Sequence, residues 1–450
     1  MTEDTDLLLG LDVGSSRTKA LLLDGEGEAA GSAQATTPFR TSSRGTEASA
    51  AEIVAAVAEV LAGLGEARRR VSAVGIAGIA ESGVPLDLGG EAMAPVIAWH
   101  DRRGEDVAER LAERFGPEIH RRIGQQLRYV ATVCKLGWLL QHGLDGPCRW
   151  LGVPELCLDA LTGSRATEWS LAGRTGCWDI GRGEWMAEVA QAAGFSIEVF
   201  PPVGGAGETL GTVGGDGASR FGLRRGIPVT IAGHDHLVGM VGSGTERADF
   251  ADSVGTAETV IARTAELPEV DRAIERGAAT GIFPGRDGWA VLIGSARSGL
   301  AVEAAASSLG KSPADLDRLA PNAPLLPAPG LAESLEKRET PALPEGPAGA
   351  VWATLLDVLA RFTAEAVERV ADVAGPPERL VVFGGGARSE PWLAAKARHI
   401  SVPVWRSRAE DAVARGAAVF AGVAAGWWTT PDAAPRPPLD GPAGEGLGKV

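Results

Sequence analysis

Apolar residues run almost unbroken from Leu7 to Val13, and again from Ala20 to Leu23, with Gly14-Ser15-Ser16-Arg17-Thr18 between them. Two short apolar runs around a small, Gly-containing break predict a β-hairpin, and Gly25-Glu26-Gly27 predicts a second turn into a third strand. Ser49 precedes a run rich in helix formers, from Ala50 to Leu61, whose apolar spacing predicts a capped helix ending near Gly63 or Gly65. A strand is expected over Val71 to Ile79. Val107, Leu111 and Phe115 lie four apart and mark the buried stripe of an amphipathic helix over 105–115.

The hairpin signal recurs in the second half, where Phe250 to Val254 leads through Gly255-Thr256-Ala257 into Glu258 to Ile261. The repetition suggests a duplicated architecture with a cleft between halves and a boundary near residue 245. Eight prolines between Lys311 and Pro347 predict mostly loop there. Long helices are expected over 350–373 and 412–426. A strand over Leu380 to Phe383 meets Gly384-Gly385-Gly386, with a helix from about Glu390.

At 450 residues the chain exceeds what one core usually serves, so two domains are expected. The net charge of −15 argues against nucleic acid and anionic membrane surfaces as partners. No apolar stretch reaches the roughly 18 residues of a membrane span. The acidic start, Met1 to Asp6, lacks the basic region of a secretory signal, which places the chain in the cytoplasm. Cys134, Cys148, Cys157 and Cys177 form no Cys-x-x-Cys pair and read as buried free thiols.

Tight Gly/Ser/Thr turns can surround a phosphate with backbone N–H groups and hydroxyls. Gly14-Ser15-Ser16 and Gly255-Thr256 are two such turns, although either alone is also readable as a plain turn. Asp12 can hold hydrated magnesium at the end of its strand, and Lys19 can neutralise phosphate charge. No Walker pattern is present, and a strand rather than a helix follows the first glycine turn. Gly384-Gly385-Gly386-Ala387-Arg388-Ser389 lies between strand and helix, where glycine either admits a flat ligand or makes the turn. "GHDH", residues 233–236, offers either a functional carboxylate, Asp235, or a His234-x-His236 metal pair.

The stretches "LGLDVGSSRTKALLLD", "PVIAWHDRR", "VCKLGWLLQH", "AGHDHLVG", "DSVGTAE", "LVVFGGGARSEPWLAAKA" and "ARGAAVFAGVAAG" occur in the order and approximate spacing of the FGGY carbohydrate kinases. The resemblance runs from about residue 7 to 428. It implies an α/β fold of two actin-like (ribonuclease H-like, ASKHA) domains with a catalytic cleft between them, residues 1–245 and 246–430, followed by a tail, 431–450. Sugar would be held mainly by the first domain and ATP mainly by the second.

By position, Asp235 resembles the family's catalytic base, and with Asp12 it marks the magnesium site. Ser16 and Lys19, beside Gly14 and Ser15, resemble the first phosphate contacts, and Gly255 and Thr256 the second. Gly294 and Ser295 fall where a further nucleotide-side loop is expected. Gly384, Gly385 and Arg388, with Gly386 and Ser389, resemble the adenosine loop. Glu81 matches a substrate-contacting position; glycerol kinases carry an Arg-Glu pair there, so Ala80-Glu81 argues against glycerol. Trp99, His100, Asp101 and Arg102 lie where further hydroxyls are read, or else form a structural turn with a surface ion pair. His234 and His236 are candidate sugar contacts. Tyr129 falls one residue out of register with another substrate position.

The implied activity is phosphorylation by ATP and Mg2+ of a hydroxyl of a small sugar, a ketopentose such as xylulose or ribulose, or a polyol. The alternative is a catalytically weak actin-like sensor that binds nucleotide and sugar. A homodimer is common among similar proteins.

Overall fold

The computed structural model describes residues 6–295, 298–337 and 339–443. Leu7–Val13 and Arg17–Leu23 pair antiparallel with Asp12 opposite Lys19, and Ala29–Thr36 continues the meander. Asp24 closes the intervening turn by accepting from the Glu26 and Glu28 amides. Val71–Gly78 then adds parallel to Leu7–Val13, and Pro228–His234 adds parallel to it in turn. Parallel neighbours need a crossover, and the helix Ala50–Gly63 supplies one, burying Ile53, Val54, Val57, Val60 and Leu61. Ser49 occupies its N-cap position, but its side chain makes no capping hydrogen bond.

The second half repeats the plan. Phe250–Val254, Glu258–Thr264 and Trp289–Gly294 form an antiparallel meander, to which Leu380–Phe383 and Val404–Ser407 add in parallel. The duplication expected from the two hairpins therefore extends to five strands per sheet in the same order and direction.

The proline-rich stretch 311–347 is mostly loop, as expected, interrupted by the short helices Pro313–Leu319 and Leu331–Glu336. Pro313 starts the first, where its missing N–H costs nothing, and Ser312 caps it by accepting from the Asp315 amide. The segment after residue 430 is not a bare tail: Leu439–Asp440 pairs with Val404–Ser407 at the sheet edge, while residues 444–450 lie outside the described residues.

The two sheets are joined by helices that follow corresponding strands. Asp235–Gly242 directs Leu237 and Met240 into a cluster with Ala251, Ile261 and Phe383 of the second sheet. Ala412–Ala424 lies instead on the first sheet, where Ala414, Ala418 and Ala421 cover Leu8, Leu21, Leu23 and Ala73. Glycine permits this approach: a Cβ on Gly10 would lie 1.8 Å from the Ala414 carbonyl oxygen, and one on Gly75 1.8 Å from that of Ala417.

Helices Glu105–Phe115, Pro117–Ile123, Thr132–Gln141 and Ala187–Ala193 build a separate small core around Val107, Leu111, Leu136 and Val189. It carries the loops that present Trp99, Gln125 and Tyr129 to the cleft. All four cysteines are buried and free. Among the described residues no helix is long and apolar enough to cross a membrane.

Candidate active site

The ends of the central strands open into a cleft of about 1640 Å³ between the sheets. A drug-sized ligand site usually occupies 300–1,000 Å³, so this space is large enough for two substrates. Gly14, Ser15, Ser16 and Lys19 line one wall, and Gly255, Thr256, Gly294 and Ser295 the facing one. The two hairpin turns meet across it, with Ser16 Oγ 3.2 Å from Thr256 Oγ1. Gly384, Gly385, Gly386, Arg388 and Ser389 line the far end, where Trp352 Nε1 and Ser389 Oγ both donate to Asp317, at 2.7 and 2.9 Å.

Asp12 ends its strand on the cleft floor, 6% exposed. Burial pushes its carboxyl up to about 8, with the Asp411 and Asp235 charges adding to the rise and Lys19 opposing it. Lys19 Nζ lies 2.8 Å from Asp411 and 3.6 Å from Asp12. Asp411 has a second task, capping Ala412–Ala424 by accepting from the Ala414 amide. Its position directly before a helix rich in small residues is a sequence signal that could have found it.

Asp235 is the first residue of its helix, where the dipole favours a carboxylate. Its Oδ1 accepts from the His236 amide at 2.7 Å, and His234 Nε2 approaches at 3.3 Å. Burial raises the Asp235 pKa and lowers that of His234 well below the usual histidine range. His234 is therefore neutral at pH 7, so its approach to Asp235 is not an ion pair.

His236 lines the cleft, but both ring nitrogens face second-half hydroxyls: Nδ1 is 2.9 Å from Ser253 Oγ and Nε2 3.4 Å from Thr259 Oγ1. It thus bridges the halves from within the cleft. The two histidines do not form a strand-face metal pair, since His234 ends the strand and His236 lies in the helix.

Glu81 also faces the cleft, from a backbone in the left-handed region at φ 64°. Arg174 Nη2 donates to its carboxylate at 2.5 Å, and Arg174 Nη1 donates to Gln125 Oε1 at 2.6 Å. Sequence reasoning missed Arg174 and Gln125, which no local pattern marks.

Of the four residues Trp99 to Arg102, only Trp99 lines the cleft. His100 packs edge-on against it. Asp101 is buried elsewhere, accepting from the Thr46 amide at 2.7 Å and from the Arg103 guanidinium at 2.9 Å. Arg102 is exposed and pairs with Glu105 at 2.5 Å. The structural-turn reading thus holds for Asp101 and Arg102, because the chain folds back there to meet the strand Gly45–Ala48. Tyr129 does line the cleft, with the Arg102 guanidinium over its ring.

Beneath the Gly255-Thr256 turn, Lys396 Nζ is buried 2.5 Å from both Asp252 and Glu258, and Thr363 and Ser298 donate to Glu258. This network fixes both strands of the second hairpin from below.

The sequence matches the N-terminal domain of the FGGY family of carbohydrate kinases over residues 7–242 and the C-terminal domain of that family over 321–425. The chain belongs to the FGGY family of carbohydrate kinases. It is 29% identical over 447 residues to a xylulose kinase of Streptomyces coelicolor, covering 95% of this chain and 89% of that protein. It is 30% identical over 435 residues to a xylulose kinase of Streptomyces rubiginosus, covering 92% and 87%. The crystal structure of a xyloylose kinase from Brucella ovis has a TM-score of 0.82 at 22% identity, covering 97% of this chain and 94% of the other, a likeness of fold. The protein is accordingly a carbohydrate kinase with two actin-like domains, and sugar kinases of this FGGY family use ATP.

Proposed function

We propose that the protein transfers the γ-phosphoryl group of ATP to a hydroxyl of a ketopentose, with xylulose the leading substrate and Asp235 the general base. The observation that carries this reading is the meeting of the Gly14–Ser16 and Gly255–Thr256 turns over one cleft that also holds Asp235 and Glu81. Two xylulose kinases matched over nearly their whole length favour that sugar. A glycerol kinase of Trichlorobacter lovleyi is matched at similar coverage, but Ala80-Glu81 argues against glycerol. Residues 1–245 would bind sugar and 246–430 nucleotide.

Phosphoryl transfer depends mainly on positioning and charge neutralisation. With Asp235 Oδ1 engaged by its neighbours, Oδ2 is available to take the proton of the attacking hydroxyl as the O–P bond forms. Burial, by raising this carboxyl, makes it a better base than an exposed aspartate. Glu81 and Trp99 would orient the sugar, while the two turns and Lys19 hold the phosphates.

A magnesium ion suits Asp12, whose buried carboxyl holds its proton to about 8 for want of sufficient positive charge. Among the described residues no group of three His, Cys, Asp or Glu could cage a metal. That fits a cation held by one or two carboxylates, Asp12 with Asp235 beside it, together with phosphates and water. When bound it neutralises charge on the transferring group.

The test is ADP release with magnesium-ATP across xylulose, ribulose, deoxyketohexoses, tetritols, pentitols, glycerol and gluconate, with product mass checked. Turnover of a ketopentose supports the reading. Silence across the panel despite ATP binding would favour a nucleotide- and sugar-binding sensor. Asp235→Ala should lower kcat by about 10²- to 10⁴-fold while leaving ATP affinity within a few-fold; near wild-type turnover removes Asp235 as the base.

A further inference from the structure

Glu168 is fully buried between the halves, and its carboxylate takes donors from both. Its Oε2 accepts from the Ser170 amide at 2.7 Å and from Ser170 Oγ at 2.5 Å. Ser170 Oγ in turn accepts from the His234 amide at 2.9 Å, one residue before Asp235. The other oxygen, Oε1, accepts from the Gly285 amide of the second half at 3.2 Å.

The surrounding backbone is shaped to this arrangement. The register between Pro228–His234 and Val71–Gly78 shifts between Ile231 and Gly233, so the base-bearing end of the strand departs from regular pairing where Ser170 takes over. Gly233 has φ 118°, and a Cβ there would stand 2.5 Å from Ser170 Oγ and 2.8 Å from Glu168. On the second half, Gly285 and Arg286 are both left-handed, at φ 72° and 58°. This unusual turn aims the Gly285 amide at Glu168 and lays the Arg286 guanidinium over Trp169, 4.1 Å from the ring centre.

We propose that Glu168 is a positioning residue, acting through Ser170, that fixes the His234-Asp235 backbone and registers it against the 284–286 turn of the nucleotide-side half. The proposal rests on Asp235 being the base. Glu168 touches no substrate; it sets where the Asp235 carboxylate stands when the halves are together. The carboxylate form is the one able to accept from all three donors.

Ser170→Ala removes the link to His234 while sparing the Gly285 contact, and it disturbs the fold less than Glu168→Ala. Its expected effect is a kcat loss of about ten- to a hundredfold with both KM values within twofold, since a small misplacement of a reacting group has that scale. Ser170→Thr, which keeps the hydroxyl, should restore kcat. Glu168→Ala should lose at least as much, and the double variant no more than Glu168→Ala alone. Hydrogen exchange at the His234 amide should quicken in Ser170→Ala while the Leu7–Val13 amides stay protected. Wild-type kcat with unchanged His234 exchange overturns the proposal, as does a loss that Ser170→Thr fails to restore. Asp235→Asn runs alongside: if it keeps turnover, the base assignment fails, and His234 exchange alone then decides whether Glu168 and Ser170 hold the strand end.

Discussion

Glu81 holds a conformation that costs a non-glycine residue roughly 1 kcal/mol, and the compensation lies in its side chain. The carboxylate is buried against Arg174, itself shared with Gln125. Removing one member of a buried ion pair typically costs about 3–5 kcal/mol, because the other charge is left without its partner. Glu81→Ala should therefore lower thermal stability and raise the sugar KM. A lost buried hydrogen-bond partner costs about 1–3 kcal/mol, so a rise of at least about fivefold is expected, with ATP KM unchanged. Parallel changes in both KM values would remove Glu81 from the sugar site. At this scale the sequence was partly legible. Glu81, Asp12 and Asp235 stand in local patterns that place them at strand or turn ends. Arg174 lies 93 residues from the carboxylate it neutralises, and only the folded chain brings them together. For Asp101 the sequence left a sugar contact and a structural turn both open, since its partner Thr46 lies on a strand that no local pattern ties to it.

The helix Thr132–Gln141 shows how one element can set the shape of a wall it does not form. Its Lys135 is fully buried and donates to the carbonyl oxygens of Trp99, Tyr129 and Val130, at 3.1, 3.3 and 2.7 Å. All three acceptors belong to residues lining the cleft. Burial brings the Lys135 ammonium down to about 8, with the Glu81, Cys134 and Asp101 charges opposing the fall and Arg103 adding to it. Above that pH the neutral amine has two N–H groups for three carbonyls, so one loses its donor. The sugar KM should rise as pH passes about 8. Global stability should move the other way for this group. The unfolded chain keeps the proton up to its ordinary value of 10.5, so the cost of burying the charge is relieved as pH rises from about 8 to 10.5. Sugar KM and Tm measured at pH 7, 8 and 9 separate loosening of the wall from unfolding; a flat sugar KM would sink the assignment. Elements as such were readable where one face repeats regularly, as in the helix Glu105–Phe115. They were less legible around Pro313, where proline starts a short helix inside a stretch that is mostly loop.

For the whole molecule, the duplicated hairpins foretold two sheets, but nothing in the pattern of Ala412–Ala424 reveals which sheet it covers. Small residues announce close packing without naming the partner. The structure places this helix, from the second half of the sequence, over Leu8, Leu21 and Leu23 of the first, with Phe420 against Ala77 and Ala232. The two halves therefore share a core, and the cleft is spanned from behind by helices that cannot separate without exposing it. Burying a leucine contributes about 1.5–3 kcal/mol, so uncovering these three forfeits roughly 5–9 kcal/mol. That is comparable with the 5–15 kcal/mol that holds an ordinary protein together. A fragment ending at residue 245 should consequently fail to unfold cooperatively and should aggregate. Joining residues 408–430 to it through a flexible linker should restore a cooperative melt, followed by circular dichroism. If the bare fragment melts cooperatively near the Tm of the full chain, the shared-core account is wrong and the first half is a self-sufficient domain. If only the linked form does, the two halves are one cooperative molecule, with the helices Asp235–Gly242 and Ala412–Ala424 as its spine.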